Sequence, residues 1–134
     1  MGRSVLSQVD KRVLDQLERL DRRRMVERKS GTYPDALNKR LVGYVDGISF
    51  FAVNGEFVRN RLDVEFTVNC NWRSDMFVHE NESWIDDCLS PFGGLATIKH
   101  ELFEWGLMRG GTDAAAAHDE ATRLETEFRK KFGR

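Results

Sequence analysis

The hydrophobic period of this chain changes twice, and those changes restrict the fold more than any single residue does. From about Ser4 to Lys29, Leu6, Val9, Val13, Leu17 and Leu20 recur at three- and four-residue steps. Such a stripe belongs to a helix that packs by one face. Ser30-Gly31 ends it, and Tyr33-Pro34 continues as loop. The period then drops to two. Asp46-Gly47 and Asn54-Gly55 are both two-residue hairpin signals, and they separate Leu41–Val45, Ile48–Val53 and Glu56–Arg59. Asp63–Val68 alternates polar and apolar side chains as a half-buried strand does, and Met76–His79 and Ser83–Asp86 are shorter strand candidates. The middle of the chain therefore reads as an antiparallel β-meander with one wet face. After Ser90-Pro91-Phe92-Gly93-Gly94 the helical period returns over Leu95–Arg109. Gly110-Gly111 stops that helix, and Thr112 caps a second one over Asp113–Lys131. The expected fold is one α+β domain over residues 1–134. It has an N-terminal helix (1–30), an antiparallel sheet (41–87) and a C-terminal helical hairpin (95–131).

A chain of 134 residues, 40% hydrophobic and 32% charged, buries a core without disulfides. Its two cysteines, Cys70 and Cys88, make no zinc ribbon or disulfide framework, so a reduced, cytoplasmic setting is expected. There is no membrane-length apolar run and no signal-peptide core at the N-terminus. A net charge of −1 excludes an overall basic nucleic-acid binder. The charge is nevertheless uneven, with 11 Lys/Arg against 6 Asp/Glu in residues 1–40 and 10 against 16 in the rest. Arg22, Arg23, Arg24, Arg28 and Lys29 concentrate the excess. They read either as the solvated end of a helix or as a docking surface for an acidic partner or nucleic acid.

The chemistry-bearing stretch is Lys99-His100-Glu101-Leu102-Phe103-Glu104-Trp105, followed by His118, Asp119 and Glu125. On a helix His100 and Glu104 share a face, with Glu101 one step round the cylinder. At about 100° per residue, Leu95, Ile98, Leu102 and Trp105 form one apolar sector. Ala96, Phe103 and Leu107 form a second, and His100 and Glu104 sit beside it, facing inward. A buried carboxylate needs a partner. Across a hairpin centred on Gly110-Gly111, His118 lies nearly opposite Glu104. His100, Glu104 and His118 then make a two-imidazole, one-carboxylate set suited to zinc with a fourth position open, while iron or another divalent ion uses the same donors. Glu101 would stand beside the open position as general base, and Glu125, Asp119 or Asp86 would orient a ligand imidazole. The metal-free alternative is a His118–Glu104 ion pair inside the helical hairpin.

Trp84-Ile85-Asp86-Asp87, a Gly-bearing loop and His100-Glu101-Leu102 together resemble the edge-strand-plus-active-helix core of zincin metallopeptidases, over roughly residues 84–125. The zincin motif is His-Glu-x-x-His, whereas Glu104 makes this one His-Glu-x-x-Glu, and His118 stands where gluzincins place a glutamate on the following helix. The composite pattern, with Ala117-His118-x-x-Ala121-x-x-x-Glu125, is similar to that of small bacterial and phage proteins with no assigned reaction. The resemblance implies a zinc-dependent hydrolase of peptide or amide bonds. The competing expectation is a non-enzymatic interaction module whose basic N-terminal helix docks a partner.

Overall fold

The computed structural model describes residues 5–133. In chain order it contains α1 (Gln8–Ser30), β1 (Arg40–Val45), β2 (Ile48–Val53), α2 (Gly55–Arg61), β3 (Asn69–Asn71), β4 (Glu82–Asp86), α3 (Pro91–Arg109) and α4 (Ala114–Phe132). This is a mixed α+β fold around one four-stranded sheet of order β1-β2-β4-β3.

The sheet is mixed, which corrects the expected meander. β1–β2 and β3–β4 pair antiparallel, but the central β2–β4 pair is parallel, with Phe51 opposite Trp84 and Ala52 opposite Ile85. A parallel pair needs a long crossover, and residues 54–81 supply it. Asp46-Gly47 does form the expected tight turn, with φ of 51° and 82°. Asn54-Gly55 does not. The Asn54 side chain accepts a hydrogen bond from Phe57 N at 3.2 Å and so caps α2. Gly55 is required there because a Cβ would lie 2.2 Å from an Asp86 carboxylate oxygen. Asn-Gly serves a helix start here, and Glu56–Arg59 is helix rather than strand.

Two further strand expectations fail for local reasons. Asp63–Val68 is a turn in which Asp63 accepts from Glu65 N at 3.0 Å, so the side chain competes for the backbone a ladder would use. Phe66 is buried and Val64 is 83% exposed. Met76–His79 is likewise turn and bend with Met76 fully exposed.

Strand alternation divides the interior. Ile48, Phe50, Ala52 and Ile85 join Val13, Leu14, Leu17, Leu95, Ile98 and Phe128 in a core against the helices. Val53 and Trp84 point the other way, to Val58, Phe66, Cys70 and Val78. Burying each large apolar side chain such as Phe50 or Leu95 contributes about 1.5–3 kcal/mol. β3 obeys the same rule. Asn69 and Asn71 are opposite Ile85 and Ser83, so their amides face the helical layer while Cys70 enters the other core.

The helices start at side-chain caps. The Ser4 start expected for the first helix lies outside the described residues; α1 begins at Gln8, where Ser7 Oγ accepts from Asp10 N. Val13, Leu14 and Leu17 form its buried face, and Val9 is turned out to solvent. α3 begins at Pro91, a turn earlier than Leu95, because Ser90 caps it and proline suits the first helical position. Asp113, not Thr112, caps α4. Gly110-Gly111 closes the α3–α4 hairpin, and the fully buried Ala117 and Ala121 give α4 a flat surface against α3. Phe92 and Phe128 stack with centroids 5.8 Å apart.

Candidate metal centre

The hairpin brings His100, Glu104 and His118 to a common point. Glu104 Oε2 lies 3.1 Å from His100 Nε2, one turn before it on α3, and 3.1 Å from His118 Nδ1 on α4. The two imidazole centroids are 5.0 Å apart. His100 and Glu104 are mostly buried, whereas the His118 side chain is 63% exposed, so the cluster opens to solvent on its α4 side. One donor atom from each residue lies within 4.8 Å of the others. Donors on a tetrahedral zinc, each about 2.0–2.2 Å from the ion, are roughly 3.3 Å apart.

Proton counting shows what the cluster lacks. His100 Nδ1 lies 3.0 Å from Glu125 Oε1 while its Nε2 faces Glu104. A neutral imidazole has one N–H. Two carboxylate contacts on one ring therefore call for a cation, either a second proton or a metal ion in place of it. Glu125 is itself held by Arg129 Nε at 2.7 Å. A carboxylate that fixes the far nitrogen of a histidine presents the near nitrogen's lone pair to an ion. The donor set thus fits a divalent metal. Of the three residues expected behind a ligand imidazole, Glu125 occupies that place; Asp119 is exposed on α4, and Asp86 lies at the end of β4.

Glu101 is oriented differently from the expected base. Its carboxylate is 4% exposed and is filled by donors. Oε1 accepts from Asn69 Nδ2 at 2.6 Å and Asn71 Nδ2 at 3.3 Å, and Oε2 from Arg73 Nη2 at 2.7 Å. Both oxygens are engaged with β3 and the turn after it, because position 101 is a step round α3 from His100 and meets the sheet. Arg73 also reaches Glu104, Nη1 to Oε1 at 3.8 Å. Sequence reasoning missed Asn69, Asn71 and Arg73. The Asn-Cys-Asn alternation was a faint signal, since two amides on one strand face need a buried acceptor.

A second cation-capable group, Asp86, Asp87 and Cys88, ends β4. Its acids already have partners. Asp86 accepts from Arg59 Nη1 at 3.1 Å and from Cys88 N at 2.9 Å, and Tyr33 OH donates to Asp87. Burial pushes the Asp87 carboxyl and the Tyr33 hydroxyl up from their usual ranges. Burial, then the two aspartates, also raise the Cys88 thiol, whose sulfur is 4.0 Å from Arg28 Nη2. Cys88 therefore belongs to this end of the sheet and not to the histidine cluster. Cys70 is a core thiol pushed up to about 12 by burial. His79 is exposed.

The basic run on α1 is split. Arg24 turns to Asp21 at 3.1 Å and Arg28 lies 4.1 Å over the Tyr33 ring, leaving Arg22, Arg23 and Lys29 outward. No helix among the described residues is long and apolar enough to cross a membrane. Comparison of the chain with protein families, curated proteins and solved structures found no match.

Proposed function

We propose that this chain binds a divalent transition metal, with zinc the best-suited ion, through His100, Glu104 and His118. The observation that carries the reading is the pair of carboxylate contacts on His100, at 3.0 and 3.1 Å, which one neutral ring cannot satisfy. Glu125 and Arg129 fix that ring, and exposed His118 forms the rim through which an ion and a small ligand would enter. Zinc in such a set supplies Lewis-acid polarisation of a carbonyl, the chemistry of a peptide or amide hydrolase. A strand followed by the histidine-bearing helix, β4 then α3, is the order the zincin-like part of the proposal needs, but β4 lies between β2 and β3 and is not the edge strand that the resemblance implied. For Glu101 to serve as base it would have to leave Arg73 and two asparagines. The reading therefore rests on the ion-holding residues.

Metal analysis of chelator-free protein, with zinc titrations of wild type, His100→Ala, Glu104→Gln and His118→Ala, tests it. One ion per chain is expected in wild type, with affinity lost by at least about tenfold in each variant. Wild type that takes up no zinc, or His118→Ala that binds as tightly as wild type, overturns the site. Chelator-sensitive cleavage of a fluorogenic peptide is the test of the hydrolase part alone.

A further inference from the structure

Glu101 and Glu104 are one turn apart on α3, and a single guanidinium lies between their carboxylates. Arg73 Nη2 is 2.7 Å from Glu101 Oε2 and its Nη1 is 3.8 Å from Glu104 Oε1. The rest of that side chain is packed, although its buried Nε has no hydrogen-bond partner among the described residues. It is 12% exposed, lies 5.3 Å from the Trp72 ring centroid and 5.2 Å from that of Trp105, and has Nη1 3.1 Å from Met108 Sδ. The two indoles meet edge to face at 5.4 Å, so the guanidinium packs beside a rigid aromatic pair.

We infer that Arg73, seated by Glu101, is a positioning residue that turns the Glu104 carboxylate so that Oε2 faces both histidines. The inference rests on the metal-binding reading above. A glutamate on a helix has three rotatable side-chain bonds, and contacts on one oxygen leave the other free to swing the group. His100 and His118 hold Oε2, and Arg73 faces Oε1. A planar fork aims a separate nitrogen at each carboxylate in a fixed direction, whereas a lysine ammonium is a single point charge with freely turning donors. Asn69 and Asn71 complete the chain of support by fixing Glu101 from β3. The metal centre is thus tuned from the sheet, through residues that touch no ligand histidine. If Arg73 merely ties β3 to α3, its loss lowers stability and leaves ion binding untouched.

Zinc affinity and the visible absorption of the cobalt(II) form, measured on wild type, Arg73→Lys, Arg73→Met and Arg109→Gln, separate these roles. Arg73→Lys should bind zinc about tenfold more weakly, and Arg73→Met, which keeps the stem packed beside the indoles, closer to a hundredfold. Both should change the cobalt bands, which report carboxylate geometry. Arg109, exposed beside Trp105, is the control and should leave both readouts as in wild type. Folded Arg73 variants with wild-type affinity and superimposable bands overturn the inference and leave the metal centre standing. Should Arg73→Met, which leaves the buried Glu101 carboxylate without its cation, fail to fold, Arg73→Lys separates the two roles by itself. Wild type that binds neither ion removes both.

Discussion

The α3–α4 hairpin and the end of β4 each gather three groups able to hold a cation, yet they differ in what already faces their acids. At the end of β4 the acids meet a guanidinium from Arg59 and a hydroxyl from Tyr33, each with a proton to give. In the hairpin Glu104 and Glu125 share the two nitrogens of one imidazole, with Arg73 3.8 Å from Glu104 and Arg129 2.7 Å from Glu125. The two acids of Asp86-Asp87-Cys88 each meet a side-chain donor, although the buried Asp87 Oδ1 has no hydrogen-bond partner among the described residues. Three donors scattered over two helices meet one another instead, ring nitrogen against carboxylate. The difference lies in the imidazoles, which can exchange a proton for an ion where a guanidinium does not.

The comparison breaks first on metal removal. With zinc at a thousand times its dissociation constant the native state gains about 4 kcal/mol. Thermal unfolding of wild type should therefore drop sharply on chelation, that of His118→Ala should drop less, and Cys88→Ser should behave as wild type. A chelation response that follows Cys88 instead would reverse the assignment of the two clusters. Next comes Gly55→Ala, whose new methyl would meet the buried Asp86 carboxylate. It should cost about 1–3 kcal/mol by urea titration while leaving zinc affinity unchanged. The smallest effect sharpens the account of Asp87. Burial raises its carboxyl, so the native chain keeps that proton to higher pH than the unfolded chain does. Stability therefore falls as pH rises from the ordinary aspartate range through the raised value. Asp87→Asn should be more stable than wild type at neutral pH, the gap closing below the ordinary aspartate range. Discounted for partial exposure, that gap is less than about 1 kcal/mol.

What the residue order made readable was short in range. The Asp46-Gly47 turn, the one-turn step from His100 to Glu104, and the return of His118 across Gly110-Gly111 each depend on neighbours along one helix or one tight turn. The β2–β4 pairing depends on where the chain comes back after residues 54–81, and no local period records that. Asn54-Gly55 is ambiguous for the same reason: as a dipeptide it suits a hairpin or a helix cap, and the Asp86 carboxylate packed against Gly55 comes from far along the chain. The orientation of Glu101 was hidden because its partners lie 28 to 32 residues away on a three-residue strand and the turn after it. Helix geometry sets Glu101 one step round the cylinder from His100, beside the open position, whereas its side chain answers to the sheet.

The shortest strand has a consequence for how the molecule must assemble. The helical pair forms from contacts close in sequence and carries every proposed ion ligand, so an excised fragment of residues 90–133 would contain the donors. It would lack the Asn69–Asn71 ladder, which joins β4 only after a long loop has closed, a slow event in folding. On the proposed reading, ion binding would therefore depend on a contact that is long-range in sequence. A truncated hairpin with all its histidines would lack Arg73 and the asparagines that hold Glu101.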